Sequence, residues 1–218
     1  KQKIKLKKQS HNYKINFENI EKKILIDVEE VEKLKIQNKK IIPEINYQNI
    51  KNKLINNEIV NFVKKRGCVV IRNVFEKEKV IEWNYEIERY IDENNYYEDQ
   101  KKKAGLDQYF SDLQSGKPQI FGLYWSKPQI ESRQSESMAI VKSWLNSLWK
   151  YKFNNKKIFD PNKELVYADR IRRREGGDAS LGLSPHCDAG SVERWIDIAY
   201  QKIYEPIFSD HLANYDPF

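Results

Sequence analysis

The residues best equipped for chemistry are His186 and Asp188, in the run Leu183-Ser184-Pro185-His186-Cys187-Asp188-Ala189-Gly190-Ser191. In an extended strand successive side chains point to opposite faces, so His186 and Asp188 share a face while Cys187 points away. An imidazole nitrogen and a carboxylate oxygen on one side of a strand can occupy two neighbouring corners of a metal octahedron. That is the beginning of a 2-His-1-carboxylate facial triad, which leaves three positions on ferrous iron for other ligands. The ordinary alternative is a surface histidine beside an aspartate. Histidine is scarce, present only as His11, His186 and His211, and His186 sits among small turn-forming residues where a metal could approach.

The elements that must position this pair belong to a chain of 218 residues with 39% hydrophobic and 33% charged residues. That length fits one domain of ordinary size with an extra arm. Five Trp, thirteen Tyr and nine Phe, concentrated after residue 80, argue for a folded body there, because aromatic rings bury large areas. The formal charge is +7, and residues 1–60 hold fourteen Lys against eight acids. Lysine excess attracts nucleic acid or anionic lipid in general, but no aromatic–basic alternation accompanies it, so a solvated arm is the reading and nucleic acid is not expected. Cys68 and Cys187 form neither a CxxC pair nor a disulfide framework. This usage suits a reducing, cytoplasmic compartment, and no apolar run is long enough to span a bilayer.

Along the chain, residues 1–16 read as a basic arm. Phe17, Ile20, Ile24, Val28, Val31 and Leu34 recur at steps of three and four and predict an amphipathic helix to about Ile36. Pro43 interrupts, which places residues 1–40 in an arm-plus-helix segment and opens the main domain at 41. A helix is expected over 48–65, stopped by Gly67, then a buried strand at Cys68–Ile71 and a helix over about 76–92. Residues 96–118 read as loop, 119–125 as a strand closed by Lys127-Pro128, and 136–150 as a helix with Met138, Val141, Trp144, Leu145, Leu148 and Trp149 on one side. Residues 165–172 alternate as a strand ended by Gly176-Gly177-Asp178. A helix over about 192–207 precedes His211, which nothing in the pattern places on a strand.

Several long words recur in order: Arg66-Gly67-Cys68-Val69-Val70-Ile71-Arg72-Asn73-Val74-Phe75; Gly116-Lys117-Pro118-Gln119-Ile120-Phe121-Gly122-Leu123-Tyr124-Trp125-Ser126-Lys127-Pro128-Gln129; Arg133-Gln134; Tyr167-Ala168-Asp169-Arg170-Ile171-Arg172-Arg173-Arg174; Gly182 through Trp195; and Tyr215-Asp216-Pro217-Phe218. Together they resemble the domain-of-unknown-function family 1479, a branch of the iron(II)/2-oxoglutarate-dependent dioxygenases, over about residues 41–218. The resemblance implies an α+β fold: a double-stranded β-helix of jelly-roll or cupin type preceded by helices, of which these residues form an N-terminal portion.

It also implies a function, an oxygenase of hydroxylase type. The expected cofactor is Fe(II) held by His186 and Asp188, with 2-oxoglutarate as cosubstrate, molecular oxygen and a small-molecule substrate whose identity the sequence does not give. In such enzymes a second histidine and a carboxylate-binding arginine come from later strands. With thirty residues after Asp188, Phe218 included, both are expected to be absent. Arg170 and Arg172 are candidates to bind the cosubstrate carboxylate, since guanidinium engages carboxylate bidentately, and Tyr167 and Ser191 could reach cosubstrate or substrate. Structural pairing of the arginines with Asp169, Asp178 or Glu193 is the competing role. The rival functional reading is a truncated, non-catalytic relative that serves as a binding or scaffold protein.

Overall fold

The computed structural model describes residues 13–98 and 120–164, then 166, 168–173 and 175–177, with a few isolated positions elsewhere. The chain divides into two compact units, one of residues 1–41 with 183–218 and the other of residues 42–182. In the first unit, helix α1 runs over Tyr13–Ile36, one turn earlier than the apolar periodicity begins. Its Phe17, Ile24 and Val28 are exposed, while Ile20, Val31 and Leu34 of the same stripe are half-buried.

The second unit opens with strand β1 (Glu44–Asn46), helix α2 (Tyr47–Lys51) and helix α3 (Asn57–Arg66). The single helix expected over 48–65 is therefore two. Asn46 and Asn56 each cap a helix start by accepting a backbone N–H, from Gln48 and Ile59 at 2.9 Å. Between the helices Lys53 takes a left-handed conformation, φ 57°, which an α-helix cannot continue through. Asparagine side chains offer the backbone this alternative to helical bonding. Gly67 closes α3 with φ 65°, its N–H donating to Val63 O, and a backbone with positive φ is where glycine costs least.

Strand β2 (Val70–Arg72) pairs in parallel with β1, Ile45 opposite Ile71. Ile45, Ile50 and Val63 form the buried centre, packed by Ile55, Ile59, Val69, Ile71, Ile140, Trp144 and Leu148. Helix α4 covers Lys77–Glu93, as its periodicity predicts to within one residue.

Strand β3 is only Ile120–Phe121, shorter than the expected 119–125. The residues after it do not continue the ladder; Leu123 O is taken by a side chain instead. Lys127-Pro128, expected to close the strand, opens helix α5 (Lys127–Arg133), and α6 (Glu136–Ser147) follows. Strands β4 (Lys152–Phe153) and β5 (Lys156–Lys157) make a small hairpin. Strand β6 (Ile171–Arg172) pairs antiparallel with β3, Phe121 opposite Ile171, a two-residue remnant of the strand expected over 165–172. Phe121 is fully buried, packed by the rings of Tyr96 and Tyr97 at 5.3 and 6.0 Å. Among the described residues no helix is long and apolar enough to cross a membrane.

Candidate functional site

His186, Asp188, Ser191 and Tyr167 lie outside the described residues, as do His211 and, apart from the helical Ile196, the helix expected over 192–207. Arg170 and Arg172 are described, and the structure shows how the body holds them.

The organising residue is Gln129, which the sequence reading passed over. It occupies the third position of α5, whose N-cap is Ser126. The Ser126 backbone N–H donates to Gln129 Oε1 at 3.1 Å and the Gln129 N–H donates to Ser126 Oγ, a reciprocal capping box with Pro128 in the first turn. Only 5% of Gln129 is exposed. Its Nε2 donates to Leu123 O at 3.0 Å and to Asp169 O at 2.9 Å, so one buried amide spans the segments that follow β3 and precede β6. The Ser-x-x-Gln spacing was the available signal.

Asp169 also faces Arg133 at the end of α5, Nη1 donating to its carboxylate. The Arg133 guanidinium lies against the Trp125 ring, 5.1 Å from its centroid, and Arg170 lies 5.3 Å from the centroid of Tyr124. A guanidinium held on an aromatic face keeps its in-plane donors available. Arg172 sits on β6 opposite Ile120 and is exposed. Arg173 donates from Nη1 to Glu88 on α4 at 2.6 Å and pairs with Glu175 at 3.2 Å. This hydrogen bond holds the Glu88 carboxyl below its ordinary range, and the same bond raises Arg173. The arginine run therefore divides. Arg173 is a structural tie, and Asp169 is indeed paired, though with Arg133 rather than with a neighbour in the run.

A second polar knot joins α4 to α5. Trp83 Nε1 donates to Glu131 at 2.7 Å, and Lys79 and Lys127 approach the same carboxylate at 3.5 and 3.7 Å. The indole hydrogen bond lowers the Glu131 pKa. With these acids engaged by cations and indole, the described residues hold no group of three or more His, Cys, Asp or Glu able to bind a metal.

Beside Arg133 opens a cleft of about 410 Å³ lined by Phe75, Ser132, Arg133, Met138, Lys142, Val166 and Asp169. Lys142 leans on its rim, donating to Glu164 at 2.9 Å and to Arg133 O at 3.2 Å.

A helical body with small two-stranded sheets, tied together through a buried glutamine, defines an architecture shared with known proteins. The chain belongs to the Gig2-like family, whose model matches residues 1–218. It is 37% identical over 202 residues to the uncharacterised protein YbiU of Escherichia coli K12, covering 93% of this chain and 48% of that protein. A crystal structure of the hypothetical protein JW0805 of E. coli superposes with a TM-score of 0.80 at 34% identity, covering 99% of this chain and 50% of that one. A Salmonella typhimurium LT2 protein provisionally named an oxidoreductase gives 0.83 at 34% identity, with 99% and 51% covered. Gig2 of Candida albicans, itself described under family 1479, gives 0.62 at 28% identity, with 81% and 35% covered. The resemblance to family 1479 is upheld through the Gig2 neighbour, and the family match also takes in residues 1–40, which the motifs left outside. The chain spans about half the length of the relatives it matches.

Proposed function

We propose that this chain is part of an iron(II)/2-oxoglutarate-dependent oxygenase of the Gig2-like family, built on a double-stranded β-helix, in which His186 and Asp188 are metal ligands. The observation that carries the reading is the His-x-Asp spacing within the family word Gly182 through Trp195. The oxidoreductase name of the Salmonella neighbour supports the same class.

An imidazole and a carboxylate are a donor set that suits ferrous iron and leaves positions open. With iron and 2-oxoglutarate bound, the chemistry supplied is oxidation of a substrate C–H bond by oxygen, coupled to conversion of 2-oxoglutarate to succinate and carbon dioxide. The chain's own residues contribute binding and orientation. If the run around them is extended, as the sequence reading expects, Asp188 would offer an oxygen and His186 a nitrogen from the same side. Arg170, which lies over the Tyr124 ring, and Arg172 are the sequence candidates for the cosubstrate carboxylate that the structure describes, and Tyr167 and Ser191 remain sequence candidates for substrate or cosubstrate contacts.

The reading is tested by anaerobic equilibrium dialysis of Fe(II) against the protein and its His186→Ala and Asp188→Ala variants. Specific iron uptake that either substitution removes supports it. Uptake that neither substitution changes contradicts it.

A further inference from the structure

We propose that the cleft bounded by Phe75, Ser132, Arg133, Met138, Lys142, Val166 and Asp169 is a binding site for a small monocarboxylate with an apolar body. The inference does not depend on iron or on the oxygenase reading.

The volume, about 410 Å³, lies in the range of small-molecule sites, which are mostly apolar with a few convergent polar groups. Phe75, Met138 and Val166 supply apolar wall, and Ser132, Arg133, Lys142 and Asp169 supply the polar groups. The lining carries two cations and one anion. Both cations are engaged, Lys142 by Glu164 and the Arg133 carbonyl and Arg133 by Asp169 through Nη1 alone, so ligand recognition falls to the other guanidinium donors of Arg133.

Three features prepare that guanidinium. Its side chain is only 11% exposed, so an ion pair made there is weakly screened by water. The Trp125 ring lies against it, its centroid 5.1 Å from the guanidinium carbon, a cation–π contact that favours the charged fork. Asp169 engages Nη1, and among the described residues the remaining in-plane donors meet no other carboxylate. A guanidinium fork at the edge of an apolar cavity selects a planar carboxylate. A dicarboxylate fits worse, because its second charge would be desolvated against Phe75, Met138 or Val166 without a partner.

Met138 is the only methionine in the chain, so a protein labelled with 13C at the methionine methyl reports the cleft with a single NMR resonance. The titration is run on the whole chain, in buffer with a chelator, with hexanoate, hexanamide and glutarate as probes. Hexanoate is expected to move the Met138 methyl saturably, hexanamide and glutarate at least roughly tenfold more weakly. Arg133→Lys keeps the charge facing Asp169 but removes the fork, and it is expected to weaken hexanoate roughly tenfold. Phe75→Trp, which narrows the cleft, is expected to weaken hexanoate while Arg133 and Asp169 stay in place. The proposal is overturned if hexanoate leaves the resonance unmoved in folded protein, if glutarate or hexanamide binds as well, or if Arg133→Lys binds hexanoate unchanged.

Discussion

Gln129 Nε2 donates to the backbone carbonyl of Asp169 at 2.9 Å across forty residues of sequence. The same nitrogen reaches Leu123 O at 3.0 Å, and the oxygen of that amide completes the Ser126 cap. Each polar atom of a nearly buried side chain is therefore used, as burial of an amide requires.

Removing that amide strands two carbonyls and a helix-start N–H. Gln129→Ala is expected to destabilise the protein by roughly 1–3 kcal/mol. Gln129→Glu is expected to be at least as harmful, since a carboxylate cannot donate to either carbonyl. Urea unfolding followed by tryptophan fluorescence measures both; a midpoint within error of the wild type for either variant contradicts the role given to Gln129.

At Gly67 the cost of substitution is conformational. A Cβ there meets nothing within 4 Å, yet φ is 65°. Gly67→Ala is expected to lose about 1 kcal/mol through the left-handed backbone alone, and Gly67→Asn less, because asparagine tolerates that region. The order Gly, Asn, Ala in denaturant midpoint is the outcome to check, and Ala equal to Gly contradicts it.

These two residues mark what was legible in the sequence. Gly67 could be read directly, because it ends a local apolar pattern, and α1, α4 and α6 followed from periodicity in the same way. The break at Asn52–Asn56 was missed because the apolar spacing runs on through it; the asparagines that cap the two helices carried the signal. Ser126-Lys127-Pro128-Gln129 was read as the end of a strand, although Ser-x-x-Gln with proline between is a helix start. Among the described residues, the strands expected over 119–125 and 165–172 amount to two residues each. Alternation alone does not create a ladder where backbone carbonyls are claimed by Gln129. The tie between Arg133 and Asp169, and the cleft beside it, depend on contacts between distant segments that no local pattern encodes. For His186 and Asp188, the proposed metal ligands, the sequence alone speaks, through the expected alternation of a strand and the motif.

The Arg173–Glu88 pair gives a pH dependence with a definite sign. Arg173 lowers the folded-state Glu88 pKa below its ordinary value of 4.5. A depressed carboxylate contributes stability above its unfolded value, and that contribution is lost as pH falls through the folded value. Both groups are partly exposed, which keeps the effect modest. Between about pH 6 and pH 3 the wild type is expected to lose more stability than Arg173→Gln. Parallel stability curves for the two proteins across that window contradict the linkage. A carboxyl NMR titration of Glu88 is expected to move upward in the variant.

Turnover tests the central claim most directly. In a polypeptide that carries residues 1–218 within a full-length Gig2-like fold, succinate formed from 2-oxoglutarate is measured with and without Fe(II), beside Asp188→Ala and His186→Ala. The account predicts iron-dependent succinate formation that either substitution abolishes. Succinate formation at an unchanged rate in Asp188→Ala would contradict it.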